Sequence, residues 1–323
     1  MSASPSGSPK PVHLERAFDH PDFVAELLAR SGPYWSVQRY FANAAEHKAV
    51  TGQTTSQDEI PVVPWFRGDW AYDRALVDGV GPLLQNPHFC DAAREVFGGG
   101  IVRPQMLYVN IMFPMPRLDP GHTDVAAFRG FDRTRWPIWL LISMARSGLF
   151  ERWRIRIATA VAFFYEGEAG ELCYWPDGPQ SESHLCPAKS NTALVGDNDC
   201  MYHRVETVGD RSKPMLKGLT LEAKLHWSPS NNRWQVFEGE NLVGEESPES
   251  VRISVSWKAQ VFADDAELRL YEQGEDPLTA DMVVERFGAD LDQRHWSDQG
   301  AEQVIDSPAF VEAVGSAYAR VPS

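Results

Sequence analysis

Apolar and polar side chains alternate without a break along Val251-Arg252-Ile253-Ser254-Val255-Ser256-Trp257. Successive side chains of a β-strand point to opposite faces, so this pattern predicts a strand with one apolar and one polar face. An ordinary core would not receive an arginine and two hydroxyls on one side, because arginine is rarely buried unless it is paired. Arg252 on such a face is well suited to clamp a carboxylate through two parallel N–H···O bonds.

A second alternating stretch runs from Gln105 to Phe113. It places Leu107, Val109, Ile111 and Phe113 on one side, and Met106, Tyr108, Asn110 and Met112 on the other. Further patterns of β-forming residues predict strands over residues 155–165, 173–175, 192–195, 201–208, 219–227, 234–237 and 251–262. Helical patterns begin at Pro21, after Asn86 and after Ser307, and others cover 264–272 and 279–288.

Helices therefore come first, many strands follow, and helices return at the end. This order predicts a mainly β fold, a sandwich or barrel with flanking helices, and not a doubly wound parallel sheet. We expect a disordered tail over 1–12 and a single domain over 13–323. Within that domain we expect an N-terminal helical part at 13–100, a β core at 101–262 and C-terminal helices at 263–323.

Composition excludes several classes of function. The 323 residues include 30 basic and 45 acidic side chains, a net charge of −15, which disfavours a nucleic-acid groove or an anionic membrane surface. None of the four cysteines forms a C-x-x-C pair, so no zinc ribbon is indicated. The N-terminal stretch has no apolar core of a signal peptide, and no apolar run is long enough to span a membrane. We expect a soluble, cytoplasmic protein.

Two H-x-D pairs could each offer an imidazole and a carboxylate to one metal ion, since residues i and i+2 of an extended segment share a face. His20-Pro21-Asp22 opens a predicted helix, which favours a structural role. His122-Thr123-Asp124 follows the long alternating strand and a turn-like segment, at the entry to the β region. A third ligand is expected on a later strand, and His203 is the natural candidate.

The order H-x-D, later histidine, then Arg-x-Ser on a final strand resembles the iron(II)- and 2-oxoglutarate-dependent oxygenase superfamily. Gly170-Glu171-Leu172 with Trp175-Pro176-Asp177-Gly178 resembles a segment of its prolyl-hydroxylase-like branch, as does Gly196 with the stretch around His203. The resemblance covers about residues 105–262. Each motif is common by itself, but their combination in this order is specific.

The resemblance implies a double-stranded β-helix, the jelly-roll or cupin-like fold, with His122, Asp124 and His203 as catalytic metal ligands. It implies iron(II), 2-oxoglutarate and O2 as cofactor and cosubstrates, with succinate and CO2 as coproducts. Arg252 would hold the far carboxylate of 2-oxoglutarate and Ser254 would be a second donor; Tyr108 and Asn110 are further candidate contacts. Retention of the carboxylate favours hydroxylation over halogenation.

One departure from the family concerns the basic residue. In the family it lies closer to the second histidine than Arg252 lies to His203. We interpret the extra length as an inserted hairpin at about 215–248, since surface insertions cost little loop entropy. Arg211 and Lys213 are the rival candidates, but they stand in a segment typical of an exposed turn.

The predicted function is hydroxylation of a small organic molecule, either amino-acid-derived or a natural-product intermediate, by a monomer or homodimer. Two alternatives stay open: a hydroxylase of peptide or protein side chains, and a cupin-like metal- or ligand-binding module without turnover. Desaturation, ring formation and epimerisation also stay open. The basic and aromatic stretch at 128–136 is either a solvated loop or a substrate-recognition element.

Overall fold

The computed structural model describes residues 9–40, 61–118, 120–298 and 300–319. Fifteen strands are present in these ranges: β1 Val12–Leu14, β2 Tyr34–Ser36, β3 Trp65–Tyr72, β4 Arg74–Ala75, β5 Ile101–Met112, β6 Ala127–Phe128, β7 Arg154–Phe164, β8 Leu172–Trp175, β9 His184–Cys186, β10 Ala193–Gly196, β11 Tyr202–Val205, β12 Lys224–Ser228, β13 Arg233–Glu238, β14 Asn241–Glu246 and β15 Arg252–Phe262. The α-helices in the same ranges are α1 Pro21–Arg30, α2 Gly81–Leu84, α3 Pro87–Phe97, α4 Ile138–Ser147, α5 Asp265–Glu272, α6 Ala280–Asp290, α7 Ala301–Ile305 and α8 Pro308–Val314.

Two antiparallel sheets form the centre of the fold. The large sheet has the order β1-β10-β7-β15-β5-β3-β2-β12-β13-β14, with β4 added to β3 and β6 to β7. The small sheet has the order β11-β8-β9. Side chains from both sheets, such as Phe163 and Met112 from the large one and Leu172 and Tyr174 from the small one, share one buried apolar cluster. The sheets therefore pack face to face.

The chain passes back and forth between these sheets. It runs from β5 to β7 in the large sheet, then through β8 and β9 in the small one, back to β10, out to β11, and finally to β15 in the centre of the large sheet. This alternation between two facing sheets is a double-stranded β-helix, so the predicted jelly-roll is confirmed.

Strand β15 has the two faces that its alternation predicts. Its odd-numbered residues from Val251 to Val261 are buried in the apolar cluster between the large sheet and the N-terminal helices. Trp257 also donates from Nε1 to the carbonyl of Leu84 in α2, at 2.7 Å. The polar residues of the other face are also mostly buried. Arg252 donates to the carbonyl of Gly170, which precedes β8 of the small sheet, and Gln260 donates to the hydroxyl of Tyr271 in α5. Leu107, Val109 and Ile111 of β5 join the same apolar cluster as predicted.

The N-terminal boundaries need correction. The part at 13–100, predicted as helical, also supplies β2 and β3, and β3 pairs with β5 along seven residue positions. Gly68 takes an apolar position of β3, and the register of β3 on β5 shifts between Asp69 and Ala71, so the alternation that would reveal the strand is broken. Val12, placed at the end of the predicted tail, pairs with Val195 in β10. Residues 1–8 of that tail lie outside the described residues.

The insertion before β15 lies within the predicted span of 215–248, but it has three strands and not the two of a hairpin. Strands β12 and β13 form that hairpin, but β14 adds a third strand, and β12 pairs with β2. The insertion is therefore a three-stranded meander that extends the large sheet. Its Trp234 and Val236 are buried in the main apolar cluster.

The region at 101–262 also contains a helix, α4, which the sequence analysis did not identify. Its continuous apolar run packs against the C-terminal helices α6, α7 and α8 in a separate cluster. Phe128 and Phe131 belong to the same cluster, so the apolar members of the 128–136 stretch are core residues. No helix in the described part of the chain is long and apolar enough to cross a membrane.

Candidate metal centre

His122 and His203 oppose each other in a backbone pairing between two distant parts of the chain. The N–H of His122 donates to the carbonyl of His203 at 2.9 Å, and the N–H of His203 donates to the carbonyl of His122 at 2.8 Å. Directly opposed residues of an antiparallel pair present their side chains to the same face. The two imidazole centroids are accordingly 4.7 Å apart. Asp124 is fixed nearby, because its N–H donates to the carbonyl of Asn198 at 2.8 Å.

The side chains of His122, Asp124 and His203 converge. One ligand atom from each lies within 4.8 Å of the others, and no other group of three or more His, Cys, Asp or Glu ligand atoms comes this close within the described ranges. The Oδ1 atom of Asp124 lies 3.8 Å from Nε2 of His203. The structure therefore brings together the three residues that the sequence nominated as ligands.

A backbone carbonyl orients the ring of His203. Its Nδ1 lies 3.0 Å from the carbonyl oxygen of Met201. Because a carbonyl only accepts hydrogen bonds, Nδ1 carries a proton, and Nε2 is the ring nitrogen on the side of Asp124. Metal-binding histidines are commonly fixed in this way by the nitrogen that does not bind the metal.

Lys258 of β15 occupies the other oxygen of Asp124. Its Nζ donates to Oδ2 at 2.7 Å, and both side chains are largely buried. Burial alone would raise the pKa of Asp124, but Lys258, His203 and His122 together hold that pKa well below its usual range. Burial alone would lower the pKa of Lys258, but the carboxylate raises it above its usual range. Both groups are therefore charged at neutral pH.

Arg252 lies in the same inter-sheet space and is 1% exposed. Its Nε donates to the carbonyl of Gly170 at 2.6 Å, and its guanidinium lies 5.3 Å from the ring centroid of Phe163. Nη2 is buried with no hydrogen-bond partner among the described residues, and no described carboxylate forms an ion pair with this arginine. Burial lowers the pKa of Arg252 to about 10, which leaves the group charged at neutral pH.

A cavity of about 170 Å³, the smaller cavity, connects Arg252 with the three converging residues. Ser254, Tyr108 and Asn110 line it too, so every residue predicted to contact the cosubstrate reaches this space. Asn110 is held by Trp65, whose Nε1 donates to its Oδ1 at 3.1 Å. The guanidinium of Arg67 lies over the ring of Tyr108, 3.8 Å from the ring centroid.

A second cavity of about 610 Å³, the larger cavity, adjoins the first. The two cavities share His122, Asp124, Tyr108 and Asn110. The larger one extends past Lys258 and is also lined by polar and aromatic side chains from β3, β5, the 123–134 loop and the segment at 271–277. The loop part of the 128–136 stretch thus borders this cavity through Arg129, Asp132, Arg133 and Thr134.

The rival candidates lie elsewhere. Arg211 and Lys213 are exposed in a turn and line neither cavity. His184 is exposed on β9 and stacks on Tyr174, and His226 packs against Phe237 on the meander. His20 precedes the first residue of α1.

Two charged residues of this region, Lys258 and Asp199, were not predicted from the sequence. Lys258 continues the alternation of β15 two positions beyond Ser256, so extending that pattern would have found it. Asp199 is buried next to the site, and neither of its carboxylate oxygens has a hydrogen-bond partner in the described part of the chain. Burial raises its pKa above the usual range. No pattern in the sequence distinguishes it from a solvated loop aspartate.

Comparisons with known proteins give similar solved structures only: no protein-family model and no curated protein matches the chain. A 2OG-Fe(II) oxygenase family oxidoreductase from Burkholderia pseudomallei has 12% identity and a TM-score of 0.41, over 77% of this chain and 85% of that one. A Pseudomonas putida prolyl-4-hydroxylase has 10% identity and a TM-score of 0.36, over 80% and 95%. HygX from Streptomyces hygroscopicus, with nickel and 2-oxoglutarate bound, has 9% identity and a TM-score of 0.39, over 79% and 84%.

The first of these proteins is described as a 2OG-Fe(II) oxygenase family member, and the second is a prolyl hydroxylase. The third was solved with 2-oxoglutarate bound. They thus carry the descriptions of the class that the sequence motifs resemble. At these identities and TM-scores, the similarity carries no conclusion about the activity of this chain.

Proposed function

We propose that this protein is an iron(II)- and 2-oxoglutarate-dependent oxygenase that hydroxylates a small organic molecule. The observation that carries the proposal is a buried, charged arginine without a carboxylate partner among the described residues. It lines the same cavity as two histidines and one aspartate.

The ligand atoms suit iron(II). Two imidazoles and one carboxylate form the set that non-haem iron oxygenases use, with the remaining coordination positions open. A structural zinc site would instead close its coordination with four protein ligands. The described His, Cys, Asp and Glu residues supply three ligand atoms here and no fourth. His122, Asp124 and His203 would therefore hold the metal and leave room for other molecules.

The smaller cavity suits 2-oxoglutarate. Arg252 and Lys258 lie on the same face of β15, and Lys258 contacts the predicted metal ligand Asp124. A dianion could therefore reach from the buried positive charge of Arg252 to the metal. The unpartnered Nη2 would donate to the far carboxylate, and Ser254 would add a hydroxyl donor from the same strand face. Tyr108 and Asn110 line the space between. Charge-assisted hydrogen bonds of this type are stronger than neutral ones.

The chemistry that bound iron(II) supplies is oxygen activation, coupled to oxidative decarboxylation of 2-oxoglutarate to succinate and CO2. The chain contributes the remaining requirements. His203 is held in one tautomer by Met201, Asp124 stays ionised beside Lys258, and burial between the two sheets keeps bulk water from Arg252. Low exposure strengthens each of these electrostatic contacts.

The larger cavity is the proposed substrate site. It shares Asp124 and His122 with the smaller cavity, so a molecule bound there would lie beside the metal. Its walls come from several directions, from the large sheet, the 123–134 loop and the segment at 271–277. A cavity with walls on several sides favours a small molecule over a peptide that crosses an open groove.

The direct test is aerobic incubation with iron(II) and 2-oxoglutarate, with succinate measured as the product. We expect release by the wild-type protein and none by His122→Ala or His203→Ala, since each variant loses a metal ligand. His184→Ala and His226→Ala are matched controls because both histidines lie outside the site.

Full turnover by the His122 and His203 variants would refute the proposed ligands. Binding of 2-oxoglutarate without any succinate, with or without a range of small organic molecules, would favour the cupin-like binding module instead.

A further inference from the structure

The polar face of β15 continues beyond the cosubstrate residues. Arg252, Ser254, Ser256, Lys258 and Gln260 occupy alternate positions on it, and the first three line the smaller cavity while the last two line the larger one. Side chains at alternate positions of a strand share one face. Lys258 thus stands where the cavities meet, on the central strand of the large sheet.

The contact between Lys258 and Asp124 involves one carboxylate oxygen. Nζ lies 2.7 Å from Oδ2, whereas Oδ1 lies 3.8 Å from Nε2 of His203. The two oxygens therefore have different neighbours: Oδ2 faces the ammonium group and Oδ1 faces His203. The lysine side chain is 16% exposed and the aspartate side chain 20%, so water competes little for this bond.

We propose that Lys258 is a positioning residue that restricts Asp124 to metal binding through Oδ1 alone. The inference rests on the proposed function. Carboxylates can bind metals through one oxygen or two, and a second bound oxygen would consume a coordination position. A cosubstrate that binds through two atoms, together with dioxygen, needs all three positions that three single-atom ligands leave free. Holding Oδ2 on Lys258 preserves the third position.

Lys258 is tested with Lys258→Met and Lys258→Arg. Methionine removes the donor while filling similar space, whereas arginine retains a donor and a positive charge. Lys224→Met is the matched control, because Lys224 lies on β12 of the same sheet, over the ring of Trp35 and outside both cavities. Thermal unfolding of the metal-free proteins identifies any variant that fails to fold.

The first measurement is the affinity for Ni(II), a non-reactive substitute, by calorimetry. We expect Lys258→Met to bind Ni(II) at least as tightly as the wild type, because a positive charge beside the ion is removed and Oδ2 becomes a second ligand atom. Lys258→Arg and Lys224→Met should keep the wild-type affinity.

The second measurement is a structure of the Ni(II) complexes. We expect Oδ1 alone within bonding distance of the metal in the wild type, and both oxygens of Asp124 within bonding distance in Lys258→Met. A clear loss of Ni(II) affinity in Lys258→Met, or one-oxygen binding that persists in it, would overturn the inference. If the wild-type protein bound no metal at all, the proposed function itself would fail.

Discussion

The buried charge of Arg252 destabilises the ligand-free protein. A buried charge without a counterion costs folding free energy, because the protein replaces only part of its lost hydration. The only close polar partners of its guanidinium in the described structure are the carbonyl of Gly170 and the sulfur of Met112. Such a cost is understandable if a bound dianion supplies the missing partner. Stability and binding should therefore respond in opposite directions when the charge is removed.

Arg252→Met tests this trade-off. We expect the affinity for 2-oxoglutarate, measured by calorimetry on the Ni(II)-loaded protein, to fall at least about 100-fold, since the variant loses a charge-assisted hydrogen bond and a buried positive charge that faces the carboxylate. The free energy of unfolding of the ligand-free protein should stay within about 1 kcal/mol of the wild type or increase, because the buried charge is gone.

Arg211→Met is the control for Arg252→Met, since it removes an equal charge from an exposed turn. An equal loss of 2-oxoglutarate affinity in both variants, or no loss in Arg252→Met, would show that Arg252 does not hold the cosubstrate.

Among the structural elements, the turn before His122 fixes the position of that residue. Gly121 has φ +123°, a conformation that side chains rarely adopt, and a Cβ there would lie 2.4 Å from the ring of Tyr202. Tyr202 precedes His203 on β11. Glycine at this position thus permits the close approach of the two ligand-bearing segments.

Gly121→Ala should lower Ni(II) affinity although residue 121 is not a ligand, because the added methyl pushes the His122 segment away from β11. Backbone strain alone costs about 1–3 kcal/mol of stability. Gly98→Ala is the control: Gly98 also has positive φ, but a Cβ there meets nothing within 4 Å. We expect both variants to be destabilised in urea unfolding and only Gly121→Ala to lose metal affinity; equal metal affinities would contradict this account.

The meander is the second informative element. It looked like a surface insertion in the sequence, but Trp234 on β13 is 3% exposed and contacts Tyr34 of β2, with ring centroids 5.9 Å apart. The meander therefore completes the edge of the large sheet and covers part of its core.

Trp234→Ala should lower the free energy of unfolding by about 3–5 kcal/mol, the usual cost of truncating a buried aromatic side chain. Leu242→Ala on β14 is the control, because that leucine is 48% exposed. Urea unfolding measures both. A loss below about 1 kcal/mol for Trp234→Ala would mean that the meander contributes little to the stability of the fold.

For the whole molecule, local patterns predicted more than long-range pairings. Alternation identified β5 and β15 and the face that carries Arg252, because a strand's periodicity is a local property of the chain. The pairing of β12 with β2, and the place of β3 beside β5, depend on contacts between segments far apart in sequence. Neither β3 nor β12 alternates strongly enough in sequence to indicate the strand with which it pairs.

For the candidate site too, local patterns predicted individual residues but not the contacts between distant segments. The spacing of His122 and Asp124, with the resemblance to a known family, nominated the three residues that converge. Lys258 of β15 reaches Asp124 across the space between the sheets, where the 122–124 segment is bridged to β11 through His122 and His203. Asp199 approaches the site through the fold of a loop. Such contacts are properties of the assembled sheets, so the sequence alone does not predict them.

The central claim is that the three converging residues and Arg252 form one binding unit for iron(II) and 2-oxoglutarate. Anaerobic calorimetry of 2-oxoglutarate binding, with and without iron(II), tests it most directly. We predict tight binding with iron(II), much weaker binding without it, and loss of the iron-dependent gain in His203→Ala. Equal affinity with and without iron(II), or an iron-dependent gain that survives in His203→Ala, would contradict the account.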